Sequence, residues 1–226
     1  MDYVSQESAL FGAVTSRQVI RPLWFIFAGG LLCCITFGVT AVLQGGNNWN
    51  LHLPNQPIGA ALIAIGVWQL GRIDIDLDYT RLMHFIFTVA ILQAVATTAD
   101  FFPYPKDPLI VLARIVINLA SIVGAVGFCL CMRWFCLDMG LRRSAKKWMK
   151  TMVVICCSCS PIAFVQLYML LVVLKAVESQ PSATVQTGWP WFWWYLLVIA
   201  LMVGPPVAFL LNILQMRREI ERRATL

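Results

Sequence analysis

Charge is scarce in this sequence: Asp, Glu, Lys and Arg make up 12% of 226 residues, against 60% hydrophobic residues and a mean hydropathy of +0.76. That balance excludes an ordinary water-soluble globule, in which about a quarter of the residues are charged. Histidine is scarcer still, with only His52 and His84 in the chain. Their placement, one in an expected loop and one near the end of an expected helix, argues against a haem held between facing helices, and two histidines are too few for the usual zinc sites. No H-E-x-x-H, nucleophile elbow or P-loop occurs. No residue is therefore assigned a catalytic, metal-binding or cofactor-binding role. A membrane enzyme acting on lipid or thiol substrates is the least supported functional class.

The loops expected to face outward also lack cysteine. Cys33, Cys34, Cys129, Cys131, Cys136, Cys156, Cys157 and Cys159 all fall in apolar segments or beside basic ones, so no disulfide framework is implied. Cys156 and Cys159 form a C-x-x-C, but inside an apolar helix small polarizable thiols serve packing. Replacing both is expected to leave folding intact.

What the sequence does have is apolar runs along its whole length. A membrane-spanning helix needs about 20 mostly apolar residues. Runs at 22–43, 58–71, 82–99, 109–132, 151–175 and 190–216 predict an all-α membrane protein with a six-helix transmembrane bundle. Residues 1–21 form an N-terminal segment, 22–216 a single membrane domain and 217–226 a basic tail. The first run is read as a retained span and not as a cleaved leader. The second run is the shortest, so it either crosses with the help of its flanks or re-enters. Pro103, Pro105 and Pro108 stop one helix and start the next. Trp189, Trp191, Trp193, Trp194 and Tyr195 have the composition of an interfacial aromatic belt.

Positive residues concentrate on the cytoplasmic side of membrane proteins. With six spans, one side receives Arg17, Arg21, Arg72, Arg81, Arg133, Arg142, Arg143, Lys146, Lys147, Lys150, Arg217, Arg218, Arg222 and Arg223. The other receives Lys106, Arg114 and Lys175. This asymmetry implies cytoplasmic N- and C-termini in a plasma or inner membrane. It also accounts for the net charge of +6 without nucleic acid.

Between the fourth and fifth spans, Trp134, Leu137, Leu141, Ala145 and Trp148 recur at helical spacing, with Arg142, Arg143, Lys146, Lys147 and Lys150 on the other side. The pattern predicts a basic amphipathic helix in the headgroup plane, its cations meeting anionic lipid at roughly 1 kcal/mol each. Asp74, Asp76 and Asp78 lie in the turn before the third span, but a calcium loop would need Gly where Tyr79 stands and Glu where Phe85 stands. A polar turn salt-bridged to Arg72 and Arg81 is expected instead.

Intramembrane polar groups are costly and therefore informative. Gln93, Thr97 and Asp100 share one helix face at i, i+4 and i+7, and Arg114, Asn118 and Ser121 repeat that spacing on the next helix. At about 1.5 Å per residue, Gln93 and Arg114 lie at matching depth in the outer half, with Asn118 and Gln166 near the midplane. Asp100 is the natural partner for Arg114. In the sixth span Gly204, Pro205 and Pro206 predict a kink.

Two functional classes follow. One is small-molecule binding or transport through a polar outer-half cavity between spans three, four and five, lined by Gln93, Thr97, Asp100, Arg114, Asn118 and Gln166. The alternative is a non-catalytic scaffold or accessory subunit whose polar groups fix contacts with membrane-protein partners or a second copy of the chain. The charge asymmetry generates a topological prediction: reporters fused after Gly71, Lys150 and Leu226 are cytoplasmic, and those inserted in 47–55 and 180–187 are external. An external reporter after Lys150 would overturn the orientation.

Overall fold

Backbone N–H and C=O groups placed in an apolar solvent must bond to each other, and a helix achieves this within one segment. The computed structural model, which describes residues 16–34, 38–42, 48–52, 55–73, 75–99, 108–179 and 191–224, is accordingly helical apart from one short hairpin. A π-helical turn, Ser16–Ile20, leads into α1 (Arg21–Cys34). Strands β1 (Gly38–Val42) and β2 (Asn48–His52) follow, and then α2 (Asn55–Leu70), α3 (Leu77–Ala99), α4 (Pro108–Asp138), α5 (Arg142–Ser179) and α6 (Trp191–Ala224). Leu77–Thr98 and Ile110–Asp138 are long and apolar enough to cross a membrane.

The first helix is shorter than its apolar run predicts. It stops at Cys34, and Gly38–Val42 pairs antiparallel with Asn48–His52, Gly38 opposite His52 and Val42 opposite Asn48. The β-branched Val39, Thr40 and Val42 fit a pleated strand better than a helix. Hydropathy could not see the difference, because it scores composition and not backbone preference.

Consecutive helices pack side by side, and α6 returns to α1, so the six helices form a closed ring in chain order. Glycines set the α1–α2 seam. A Cβ on Gly29 would collide with the Gly59 carbonyl oxygen and come within 2.8 Å of Ile63 Cγ1, and one on Gly59 would lie 2.6 Å from the Gly29 oxygen. One on Gly66 would lie 2.7 Å from the Pro22 oxygen. Backbones thus touch along an antiparallel register, as small residues allow in membrane helices. This seam keeps the short α2, of 16 residues, alongside α1 over its length.

The turn from α2 to α3 is held by Tyr79, buried and donating to the Leu70 carbonyl at 3.2 Å. Asp76 caps α3: its Oδ1 accepts the Leu77 N–H at 2.7 Å and its carbonyl accepts from Thr80. Of the salt bridges expected there, Asp78 reaches Arg81 at 3.9 Å with both side chains more than 70% exposed, a geometry worth little. Arg72 instead lies 3.8 Å above the Trp68 ring. Asp74 lies outside the described residues.

The predicted amphipathic helix is not one unit. Gly140, at φ 68°, ends α4; its N–H donates to the Leu137 carbonyl at 3.0 Å, and the Leu141 N–H donates to Cys136 at 2.6 Å. This is a Schellman closure, which needs a residue that tolerates the left-handed region. Helix α5 restarts at Arg142, so Trp134 and Leu137, both exposed, belong to α4. Leu141, Ala145 and Trp148 point into the bundle, at 0%, 2% and 0% exposure. The apolar stripe covers protein, not headgroups.

Opposite it, α6 supplies a polar ladder. Glu219 accepts the Arg143 and Ser144 N–H groups at 3.3 and 2.9 Å and the Ser144 hydroxyl at 2.6 Å. Lys147 donates to Gln215 at 3.2 Å, and Asn212 donates to Thr151 at 2.7 Å. The carboxylate thus caps a helix that is not its own.

Two outcomes test these seams by thermal unfolding in detergent. Gly29→Ala lowers stability by about 1–3 kcal/mol through overpacking, whereas Gly30→Ala, with nothing within 4 Å of its Cβ position, is neutral or gains up to about 1 kcal/mol of helix propensity; equal losses would contradict the seam. Glu219→Ala costs about 1–3 kcal/mol for the lost cap, and a change confined to a few tenths would assign the ladder no structural weight.

Candidate functional site

At the basic end of the ring, where α1 and α5 start at Arg21 and Arg142, the helices pack tightly. Val19, Leu23, Leu70, Met83, Met132, Phe135, Trp148, Ile213 and Met216 form one buried cluster there. Aromatic rings close its upper surface. Trp148 stands edge-on to Phe209 at 5.3 Å and to Phe128 at 5.9 Å, and Phe128 stacks on Phe209 at 5.9 Å. Phe209 stacks in turn on Phe27 at 6.5 Å. These contacts tie α1, α4, α5 and α6 together across the ring. The Trp148 indole N–H is buried and has no hydrogen-bond acceptor among the described residues.

Above this floor lies a cavity of about 400 Å³ to which all six helices contribute. Helix α1 presents Ile26, Phe27 and Gly30, α2 presents Ala60, Ile63 and Val67, and α3 presents Ile86, Val89, Ala90 and Gln93. Helix α4 adds Ser121, Gly124, Ala125, Phe128 and Cys129, α5 adds Ile155, Ser158 and Cys159, and α6 adds Pro205, Pro206 and Phe209. Its volume suits a small-molecule ligand, for which sites run from about 300 to 1,000 Å³. The lining is apolar, and no Asp, Glu, Lys, Arg or His contributes to it among the described residues. Gly124 leaves space, since a Cβ there would meet Val89 at 3.8 Å, an ordinary contact.

The polar residues expected to form a site are only partly gathered here. Gln93 lines the cavity, and its Oε1 accepts from the Ser121 hydroxyl at 3.3 Å. Ser121 also reaches its own helix at the Ile117 carbonyl, 2.9 Å away. Thr97 is buried but turns back on α3, donating to the Gln93 and Ala94 carbonyls. Asn118 and Gln166 are half-buried and Arg114 is exposed, and none of the three lines the cavity. Asp100 lies outside the described residues. The cavity is therefore central and apolar among these residues, with Gln93 as the member of the expected set that reaches it.

Pro205 and Pro206 lie inside a single continuous α6 and line the cavity. Neither has an N–H, so the carbonyls of Leu201 and Met202 lose their helical partners. Pro161, inside α5, does the same to Cys157. Hydropathy carries no sign of Pro161's effect, although the proline itself was a signal that could have been used. The thiols divide by position: Cys156 and Cys157 are exposed on α5, whereas Cys159 lines the cavity. Arg142, Arg143, Lys146 and Lys150 are exposed at the start of α5, and half-buried Lys147 is engaged by Gln215.

Sequence reasoning missed the floor and the ladder. A signal for the ladder was present: Ser144, Lys147 and Thr151 repeat i, i+3, i+7, and so do Asn212, Gln215 and Glu219. Pairing the two stripes required knowing that α5 and α6 are neighbours. The chain matches no family model, no curated protein and no solved structure.

Proposed function

We propose that this protein is a six-span membrane protein, with both termini cytoplasmic, that binds a small apolar molecule in the cavity lined by its helix ring. The observation that carries the reading is the cavity itself: about 400 Å³, lined from all six helices, apolar, and floored by Phe128 and Phe209. An apolar lining of this size favours an apolar guest. The membrane setting is supported by large hydrophobic side chains on the outside of the ring, including Val95, Val123, Phe164 and Tyr168, each at least 60% exposed. Lipid is the solvent that makes such a surface favourable. The cytoplasmic orientation is supported by the concentration of positive residues at one set of helix ends, since such residues favour the cytoplasmic side. There Arg142, Arg143, Lys146 and Lys150 meet anionic lipid headgroups.

A tightly packed cluster between the cavity and the basic end makes this a closed-bottomed site. The form described thus resembles a binding pocket or one state of a transporter, and not a continuous pore. The test uses the full chain in lipid nanodiscs, heated with a panel of neutral lipophiles. A ligand at one hundred times its Kd stabilises the folded form by about 2.7 kcal/mol, which raises the unfolding temperature by several degrees. Gly124→Leu, which fills the cavity, is expected to abolish the rise while keeping a monodisperse fold. A rise unchanged in that variant would place binding elsewhere and sink the proposal.

A further inference from the structure

The cavity has a direction. Gln93 and Ser121 are the lining residues of α3 and α4 furthest from the basic end, and Ser158 on α5 lies level with them. At about 1.5 Å per residue, all three stand roughly 24 to 26 Å from the basic end of their helices. Ile86 and Phe128 stand only roughly 14 to 15 Å from it by the same count. On α3 and α4 the polar groups therefore occupy the end of the lining away from the basic end, about 10 Å beyond Ile86 and Phe128.

The chemistry at the polar level is neutral and unspent. The Gln93 carboxamide carries two N–H donors, and no described residue accepts from them; its oxygen is the side-chain atom engaged, by Ser121. With no ionisable lysine, arginine, histidine or carboxylate in the lining among the described residues, a charged guest would be desolvated without a counter-charge. Size points the same way: a cavity of about 400 Å³ lies at the lower end of the range for small-molecule sites, about 300 to 1,000 Å³, and suits a single-chain guest better than a two-chain phospholipid.

We infer that the cavity takes a neutral single-chain amphiphile, its hydroxyl or carbonyl head at Gln93 and Ser121 and its tail against Phe128 and Phe209. This rests on the binding reading above and adds to it the class and orientation of the guest.

Dodecanol analogues test it, one with a photoreactive diazirine near the methyl end and one with it beside the hydroxyl, each cross-linked to the full chain in phosphatidylcholine nanodiscs. Mass spectrometry with residue-level fragmentation is expected to find the tail probe at or beside Ile86 or Phe128 and the head probe at or beside Gln93 or Ser121. Gln93→Leu is expected to weaken head-probe labelling about fivefold to tenfold, the worth of one hydrogen bond, and unlabelled dodecanol to compete at least about tenfold better than dodecanoate, whose charge the lining cannot balance. Reversed or position-independent labelling, or dodecanoate competing equally, would overturn the inference. The Gly124→Leu variant separates the two layers. If it abolishes labelling while orientation fails, the cavity binds but has no head and tail; if labelling survives it unchanged, the binding reading itself falls. Should that variant prove unstable, competition of labelling by excess dodecanol in the unaltered chain supplies the same distinction.

Discussion

A ring of six sequential helices closes only if the last is held against the first, and here that closure depends on the polar register between α5 and α6. Glu219 satisfies N–H groups at the start of α5, Asn212 and Thr151 bond at 2.7 Å where both are buried, and Lys147 reaches Gln215 between them. Apolar packing alone chooses a register weakly, because one apolar side chain is much like another as a neighbour. Hydrogen bonds along one seam do choose it, since a slip by one residue would strand several polar groups at once. Once α6 is fixed in this register, Phe209 falls between Phe27, Phe128 and Trp148, and the floor of the cavity follows.

The floor and the glycine seam divide the bundle into a packed end and a hollow middle. Gly29, Gly59 and Gly66 are small because backbones touch there. Gly30 and Gly124 are small where the cavity needs room, and a Cβ at either position meets no close neighbour. The same residue type thus serves opposite purposes on one helix, one position apart. Prolines in α5 and α6 lie beyond the ladder, so the two helices are bound by side-chain hydrogen bonds near the basic end and each lacks a proline N–H further out while remaining continuous.

Much of this was legible without a structure. Low charge and recurrent apolar runs pointed to helices in lipid, and the segments predicted from them coincide with α2 to α6 in order, with boundaries shifted by caps and turns. Asp76 and Gly140 illustrate the shifts: a capping carboxylate starts α3 before its apolar run begins, and a left-handed glycine cuts a predicted amphipathic helix in two. Both residue types are turn signals in the sequence, but hydropathy outweighed them.

Composition and periodicity determine what depends on each residue's own chemistry: the apolar character of the helices, their helical period, and the positions of caps and prolines. Gln93 stood out for the same reason, as an amide in an apolar helix that needs a partner. Which partner it meets, that Trp148 faces the bundle and not the headgroups, that Ser144 and Glu219 join across 75 residues of chain, and that a cavity opens at the level of Gly30 and Gly124 are decided only by the tertiary structure. Each depends on which helix faces which and in what register, and that choice comes from the sum of many weak contacts between segments remote in sequence.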